Sequence, residues 1–195
     1  MAQTQAIAAV SATLAGLLKD NYPRDEFGQS LPFELYQPKN FDDPMKEGIG
    51  VCLWRVNPNG NRRNFPTRTD QFGRKFRGSV PIDLSYLIVP FAENAERQQR
   101  LLGWLIRAMH ELGPIVPAHL NHYLSESEIF AEAENVDAAP DTLSVADYLT
   151  LWDRLKRLPP AVSYIVRLVL IDSDKRLDEY PLVEERNLDF GTVDA

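Results

Sequence analysis

Residues 49–63 read "IGVCLWRVNPNGNRR". From Ile49 to Val56 both alternating sets of side chains are apolar, which is what a strand covered on both faces requires. Asn57-Pro58-Asn59-Gly60 then suits a type I turn, with Asn first, Pro second and Gly fourth. Basic residues follow at once, beginning with Arg62 and Arg63. A strand covered on two sides needs layers on both, so the segments around it are read for helices and partner strands.

Two further strands are expected at 82–91, "IDLSYLIVPF", and 161–172, "AVSYIVRLVLID", with a short one at "FELYQP" ending at Pro38. Helical spacing of Ile7, Val10, Leu14, Leu17 and Leu18 predicts a helix over 4–19. A longer one is expected over 94–112, with Leu101, Leu105, Met109 and Leu112 on one face and Gly113-Pro114 as its stop. A third should span 142–158, with Ser144 and Asp147 as a capping box and Leu151, Leu155 and Leu158 facing inward. "SEIFAEAEN" at 127–135 is read as a strand from its period-2 alternation. The expected fold is α+β, a central mixed or antiparallel β-sheet flanked by about three α-helices. Residues 1–173 form one domain with an inserted basic loop at 62–77, and 174–195 an extended acidic tail.

The chain has 195 residues, enough for one sizeable core. No apolar run approaches the roughly 20 residues that span a bilayer. "MAQTQAIAAV" carries no basic leader, so export is not expected and folding is assigned to the cytoplasm. Cys52 is the only cysteine, which excludes an internal disulfide and a cysteine-rich metal site. A net charge of −7 argues against general nucleic-acid binding.

The search for chemistry finds little. There is no phosphate-binding glycine loop, nucleophile elbow or zinc-protease helix. His119 and His122 stand three apart after a proline, with His110 ending the preceding helix, but no acidic or thiol ligand cluster joins them. Glu126, Glu128, Glu132 and Glu134 read as a solvated or partner-facing surface rather than an acid/base site. Trp54, Trp104 and Trp152 are expected in the core, with a subunit interface as the second reading. No catalytic residue, cofactor or metal is implied.

One segment resists so plain a reading. Between residues 62 and 77 stand Arg62, Arg63, Arg68, Arg74, Lys75 and Arg77 against Asp70 alone, with Phe65, Phe72 and Phe76 interleaved. That local +5 leaves −12 on the remaining chain. Arginine mixed with aromatics suits a protein interface or single-stranded nucleic acid. Protein contact is favoured over a solvated loop, and a solvated loop over nucleic acid, because phenylalanines are poor residues to leave in water. In the tail, Leu182 and Val183 give apolar grip and Pro181 limits helix formation.

The order of segments carries a resemblance. "IAAVSATLAGLL" is followed by "GVCLWRVNPNGNRRN", "PIDLSYLIVPF", "QQRLLGWLIRAMHELGPI" and "LTLWDRLKRLPPAVSYIVRLVLIDS". Over roughly 4–173 this order resembles the cap, or tail-terminator, proteins of extracellular contractile injection systems, the phage-tail-like particles of bacteria. The resemblance implies a tail-terminator-like fold and a non-enzymatic structural protein. It implies a homohexameric ring that ends polymerisation of inner tube and sheath at the end distal to the baseplate. The implied partners are the chain itself and the tube and sheath proteins, without nucleic acid and with membrane contact left open. The particle would assemble in the cytoplasm and leave by lysis. Arg62, Arg63, Arg68, Arg74, Lys75 and Arg77, with Leu182 and Val183, are the expected interface to tube, sheath or neighbouring subunit. The competing readings are a nucleic-acid-binding accessory factor using the loop and a small hydrolase using the acidic cluster or histidines.

Overall fold

Three long strands, each apolar along its length, dictate a central antiparallel sheet. A computed structural model describes residues 4–28, 30–60, 65–70, 72–124, 129–155 and 158–177. The elements run α1 (Ala6–Asp20), α2 (Arg24–Phe27), β1 (Phe33–Tyr36), a 3-10 turn (Pro38–Phe41), β2 (Gly48–Pro58), β3 (Arg68–Thr69), β4 (Lys75–Phe76) and β5 (Val80–Phe91). They continue with α3 (Ala95–Glu111), α4 (Pro117–Leu120), β6 (Asp137–Pro140), α5 (Val145–Arg154) and β7 (Val162–Ile171). The main sheet has the order β1-β2-β5-β7-β6, and β3-β4 is a separate hairpin. Only β1 lies parallel to its neighbour, so the sheet is mixed, as expected of this α+β fold.

The two faces are covered unequally. On one, Leu14 and Leu18 of α1 and Leu101 and Leu105 of α3 pack with Ile49, Leu84, Tyr86 and Val166. Tyr86 is fully buried at the centre, and its hydroxyl lies 2.8 Å from Ser11 Oγ of α1. Ser11 also reaches Ile7 O at 2.9 Å, so this buried pair is fully satisfied. Gly16 is a helix-interior glycine because the ring of Tyr123 lies where its Cβ would be, 2.2 Å away. The other face holds a smaller core of Tyr36, Phe41, Cys52, Leu87, Val89 and Phe91, roofed by Leu151, Leu155 and Leu158.

Several expectations need correcting. Asn57 and Pro58 do not turn: β2 runs on through Pro58, paired with Ile82. Asn59 N then bonds Pro81 O at 2.9 Å, so the nitrogen of Pro58 faces away from β5. There β1 has already ended, its Tyr36 standing opposite Cys52, and the proline removes no ladder donor. For the same reason β2 is buried only from Gly48 to Cys52 and becomes exposed towards its end. Within 127–135, residues 129–135 form bends instead of a strand. Ile129 and Phe130 are buried side by side, which breaks the alternation, and the Asn121 side chain bonds both Phe130 N and Phe130 O at 2.9 Å. α5 is capped by Ser144, which accepts from Asp147 N at 3.1 Å, but it ends at Arg154. Leu158 reaches the core from the turn beyond it. Of the tryptophans Trp104 is buried and Trp54 half-buried, whereas Trp152 is exposed because Leu151 and Leu155 take the inward face.

The lower ends of β2, β5 and β7 meet at Asp83. Its carboxylate accepts both contacts from Asn59 Nδ2, at 3.0 and 2.9 Å, and one from Leu168 N at 3.0 Å. Ile82 pairs with Val169 and Leu84 with Val166, so one residue of β5 faces two of β7. Leu168 takes up that bulge with φ +59, a left-handed conformation that costs a leucine roughly 1–3 kcal/mol. Replacing Asp83 by Ala removes the acceptor of the Leu168 amide and two contacts of the Asn59 side chain together. It should lower unfolding free energy by about 2–3 kcal/mol in urea melts. Amide exchange should rise first at Asn59 and Leu168, and a uniform rise across the sheet would show that the clamp is not local.

Candidate protein interface

The basic segment emerges where β2 ends and returns where β5 begins, and its described part is a hairpin rather than an open loop. Arg68 pairs with Phe76 and Thr69 with Lys75. The turn is built on Asp70. Its Oδ1 accepts from Phe72 N and Arg74 N, both at 2.9 Å, and its Oδ2 accepts from Arg74 Nε at 2.6 Å. Gly73, at φ +77, supplies the left-handed residue the turn needs. At the root, Gly78 lies so close to Phe65 O that an added Cβ would stand 2.3 Å from it, which keeps the two limbs together.

Arginines and rings alternate across this hairpin. The Arg74 guanidinium lies 5.1 Å from the Phe72 ring and 6.0 Å from Phe76, and that of Arg68 lies 4.9 Å from Phe76. Such cation–π contacts are worth about 0.5–1 kcal/mol each at exposed sites. They favour conformers in which guanidinium and ring lie together.

The structure separates the expected interface residues. Arg68 points inward: its Nε is 3.6 Å from Asp172, and its Nη2 donates to Ser173 O at 3.4 Å. Asp172 also accepts from Ser79 Oγ at 2.7 Å, so this arginine ties the hairpin to the end of β7. Arg74, Lys75 and Arg77 are exposed together with Phe72. Arg62, Arg63, Leu182 and Val183 lie outside the described residues, as do Glu126 and Glu128.

Sequence reasoning missed Lys175 and Arg176, which it counted into an acidic tail. Arg77 N donates to Lys175 O at 3.0 Å and Leu177 N to Lys75 O at 2.9 Å, so 175–177 line up beside β4. Both basic side chains are exposed there and enlarge the positive surface. The adjacent Lys-Arg just after a strand was the available signal, but only the pairing with β4 places it.

Other candidate chemistry is not brought together. His110, His119 and His122 are all exposed, and among the described residues no three His, Cys, Asp or Glu side chains are grouped to hold a metal. Burial pushes the Cys52 thiol up to about 11, as for a core residue. Glu132 is exposed, and Glu134 accepts from Ala131 N at 2.8 Å. Among the described residues no helix is long and apolar enough to cross a membrane. What the hairpin offers is a basic and aromatic surface.

Comparison with known proteins agrees with the order of segments read from the sequence. The family model of the Pvc16 N-terminal domain matches residues 9–185. Two cryo-EM structures share the fold. The sheath/tube terminator of the PVC extracellular contractile injection system, in its extended state, superposes with a TM-score of 0.60 at 14% identity. That match covers 96% of this chain and 64% of the other. The tube-terminating cap of the anti-feeding prophage also gives 0.60, at 15% identity, covering 92% and 60%. The chain therefore spans less than two thirds of either terminator. No curated protein matches.

The Asp70 turn should be sensitive to acid. Desolvation acts to raise its carboxyl, but hydrogen bonds from the Arg74 backbone and side chain and from the Phe72 backbone outweigh it, leaving it below 3.8. A depressed folded value means that the turn's added stability is complete above the unfolded value and is lost as pH falls through the folded one. Amide exchange at Phe72 and Arg74 should therefore accelerate below about pH 4 by more than intrinsic rates explain. Asp70→Asn should remove that pH dependence. A wild-type hairpin equally protected at pH 2.5 and 6 would contradict it.

Proposed function

The chain belongs to the family of the Pvc16 N-terminal domain, and from that premise we propose that it is a structural terminator of a contractile injection system. It closes the baseplate-distal end of the inner tube and sheath as a homohexameric ring and carries out no catalysis. The observation that carries this reading is fold similarity over 96% of the chain to a sheath/tube terminator. The basic hairpin supports it. A terminator acts through interfaces, and a ring of identical subunits requires two different, complementary patches on each.

Residues 1–173 act as the capping domain, and 174–195 as an acidic arm that begins against the hairpin. Arg74, Lys75 and Arg77, with Lys175 and Arg176 beside them, meet an acidic surface of tube, sheath or neighbouring copy. Arg62 and Arg63 extend that charge on the chain before the hairpin, and Leu182 and Val183 add apolar grip on the arm. Arg68 contributes by holding the hairpin to β7. The particle assembles in the cytoplasm and is released by lysis.

Deleting the gene should give tubes and sheaths of uncontrolled length in electron micrographs, or few stable particles. Reversing Lys75, Arg77 and Arg176 together to Glu should abolish capping. Because all three are exposed, the thermal melt should stay within about 0.5 kcal/mol per site of wild type. Single reversals should be nearly silent, since exposed pairs contribute about 0.2–1 kcal/mol. Normal particle lengths in the deletion strain would end the capping reading.

A further inference from the structure

α5 is only half used by the fold. Leu151 and Leu155 face the sheet, while Val145, Leu149 and Trp152 stand on the opposite side at i, i+4 and i+7. These three are 77%, 60% and 52% exposed. A stripe of that kind on a surface helix marks a covered face. A second exposed apolar group stands elsewhere: Phe72, 72% exposed at the hairpin tip.

Charge separates these two places further. From Ala108 to Asp153 the chain contains no Lys or Arg, but it has Glu111, Glu126, Glu128, Glu132, Glu134, Asp137, Asp141, Asp147 and Asp153. α5 closes this stretch, with Asp147 exposed at its first turn, Asp153 exposed beside the stripe, and Arg154 exposed at its last residue, where basic residues resume. The hairpin carries the reverse combination, an exposed aromatic ringed by Arg74, Lys75 and Arg77.

Within one chain the two do not meet. The hairpin leaves the sheet beside Val80 of β5, whereas Leu151 and Leu155 of α5 pack in the cluster of Leu87 and Val89. The seven steps from Val80 to Leu87 span roughly 23 Å of strand at about 3.3 Å each. The clamp at Asp83 and the Arg68–Asp172 pair hold the hairpin root at its own end.

We propose that the α5 stripe of one copy receives the hairpin tip of a second copy. Phe72 seats on Val145, Leu149 and Trp152, while an arginine beside it faces the Asp153 carboxylate, the charge next to the stripe. The contact is heterologous, hairpin to helix, so each copy keeps one half of the junction for its next neighbour. A 10-residue helix is only about 15 Å long, and three side chains on one face of it do not supply the roughly 800 Å² per partner of a stable interface, so this junction is the anchor of a larger contact. The inference rests on the ring proposed above and names where its subunits join.

The test uses two full-length variants, Phe72→Asp and Leu149→Asp, with assembly read by analytical ultracentrifugation. The wild-type chain should form a closed oligomer and each variant alone a monomer. An equal mixture should form dimers and nothing larger, because one native junction survives, between the hairpin of Leu149→Asp and the helix of Phe72→Asp. Should either variant unfold, Phe72→Cys and Leu149→Cys replace them: disulfide-linked dimers should appear in the mixture and not in either alone, Cys52 being buried. A monomeric wild type overturns the junction. So does a monomeric mixture, a variant that assembles like wild type, or cross-linking by Leu149→Cys alone, which would mean helix against helix. Tubes capped normally by Phe72→Asp would defeat the junction and leave capping standing. Oligomers that form through it but leave tube length uncontrolled would defeat capping and leave the junction.

Discussion

Asp83 ties three strands of the main sheet together through one carboxylate. β2, β5 and β7 end together at the lower edge of the sheet, and each would fray there as an open ladder. One carboxylate holds all three, through Asn59 beyond β2, its own backbone in β5 and the Leu168 amide in β7. The left-handed Leu168 opposes it with roughly 1–3 kcal/mol of strain, which the Asp83 contact and the flanking ladder offset. The bulge also turns the end of β7 so that Asp172 and Ser173 come under Arg68. The hairpin is thus anchored twice, by the strands it interrupts and by the strand that passes beneath it.

The anchoring changes how the basic segment should be understood. As a string of residues it is a +5 loop in an acidic chain; as a structure it is a small sheet with an internal order. Arg68 and Asp70 maintain the hairpin, Arg74 joins turn to rings, and Lys75, Arg77, Lys175 and Arg176 form the outer charge. Surface ion pairs contribute little to stability, about 0–1 kcal/mol. Their use here is positional: a guanidinium already stacked and bonded loses less side-chain freedom on binding than a solvated one.

The long strands and helices were legible because their signals are local. β5, β7, α1 and α3 carry periodicity over ten or more residues, and Ser144 was recognised as a cap because its partner is three residues away. The errors fall where long-range contacts decide. Asn57-Pro58-Asn59-Gly60 has the composition of a turn, yet pairing with β5 extends the strand through Pro58. The window from Ser127 to Asn135 looks alternating, but Asn121 holds Phe130 in a bend beside buried Ile129. Trp152 was assigned to the core by its size, whereas the helix turns Leu151 inward and leaves the indole outside. The basic surface was recognised by composition, but its division into inward and outward residues was not, since that depends on Asp172 from a strand about a hundred positions later.

A basic, aromatic projection and an apolar helix face bordered by Asp153 stand on one chain. Here the rigid hairpin root and the length of β5 keep them apart, so their complementarity is unmet until another molecule supplies the second half. Charge alone would hold such a contact weakly, because exposed charges are screened beyond about 8 Å at physiological salt. The apolar groups supply what salt does not remove: burying a leucine or phenylalanine side chain is worth about 1.5–3 kcal/mol. The division of labour follows, with the separated charges selecting and orienting the partner and Phe72, Leu149 and Trp152 retaining it. It also fits the exposure of three large apolar side chains on one helix of a chain of net charge −7. In the proposed junction the helix is one half of an interface whose other half sits at the far end of the same sheet.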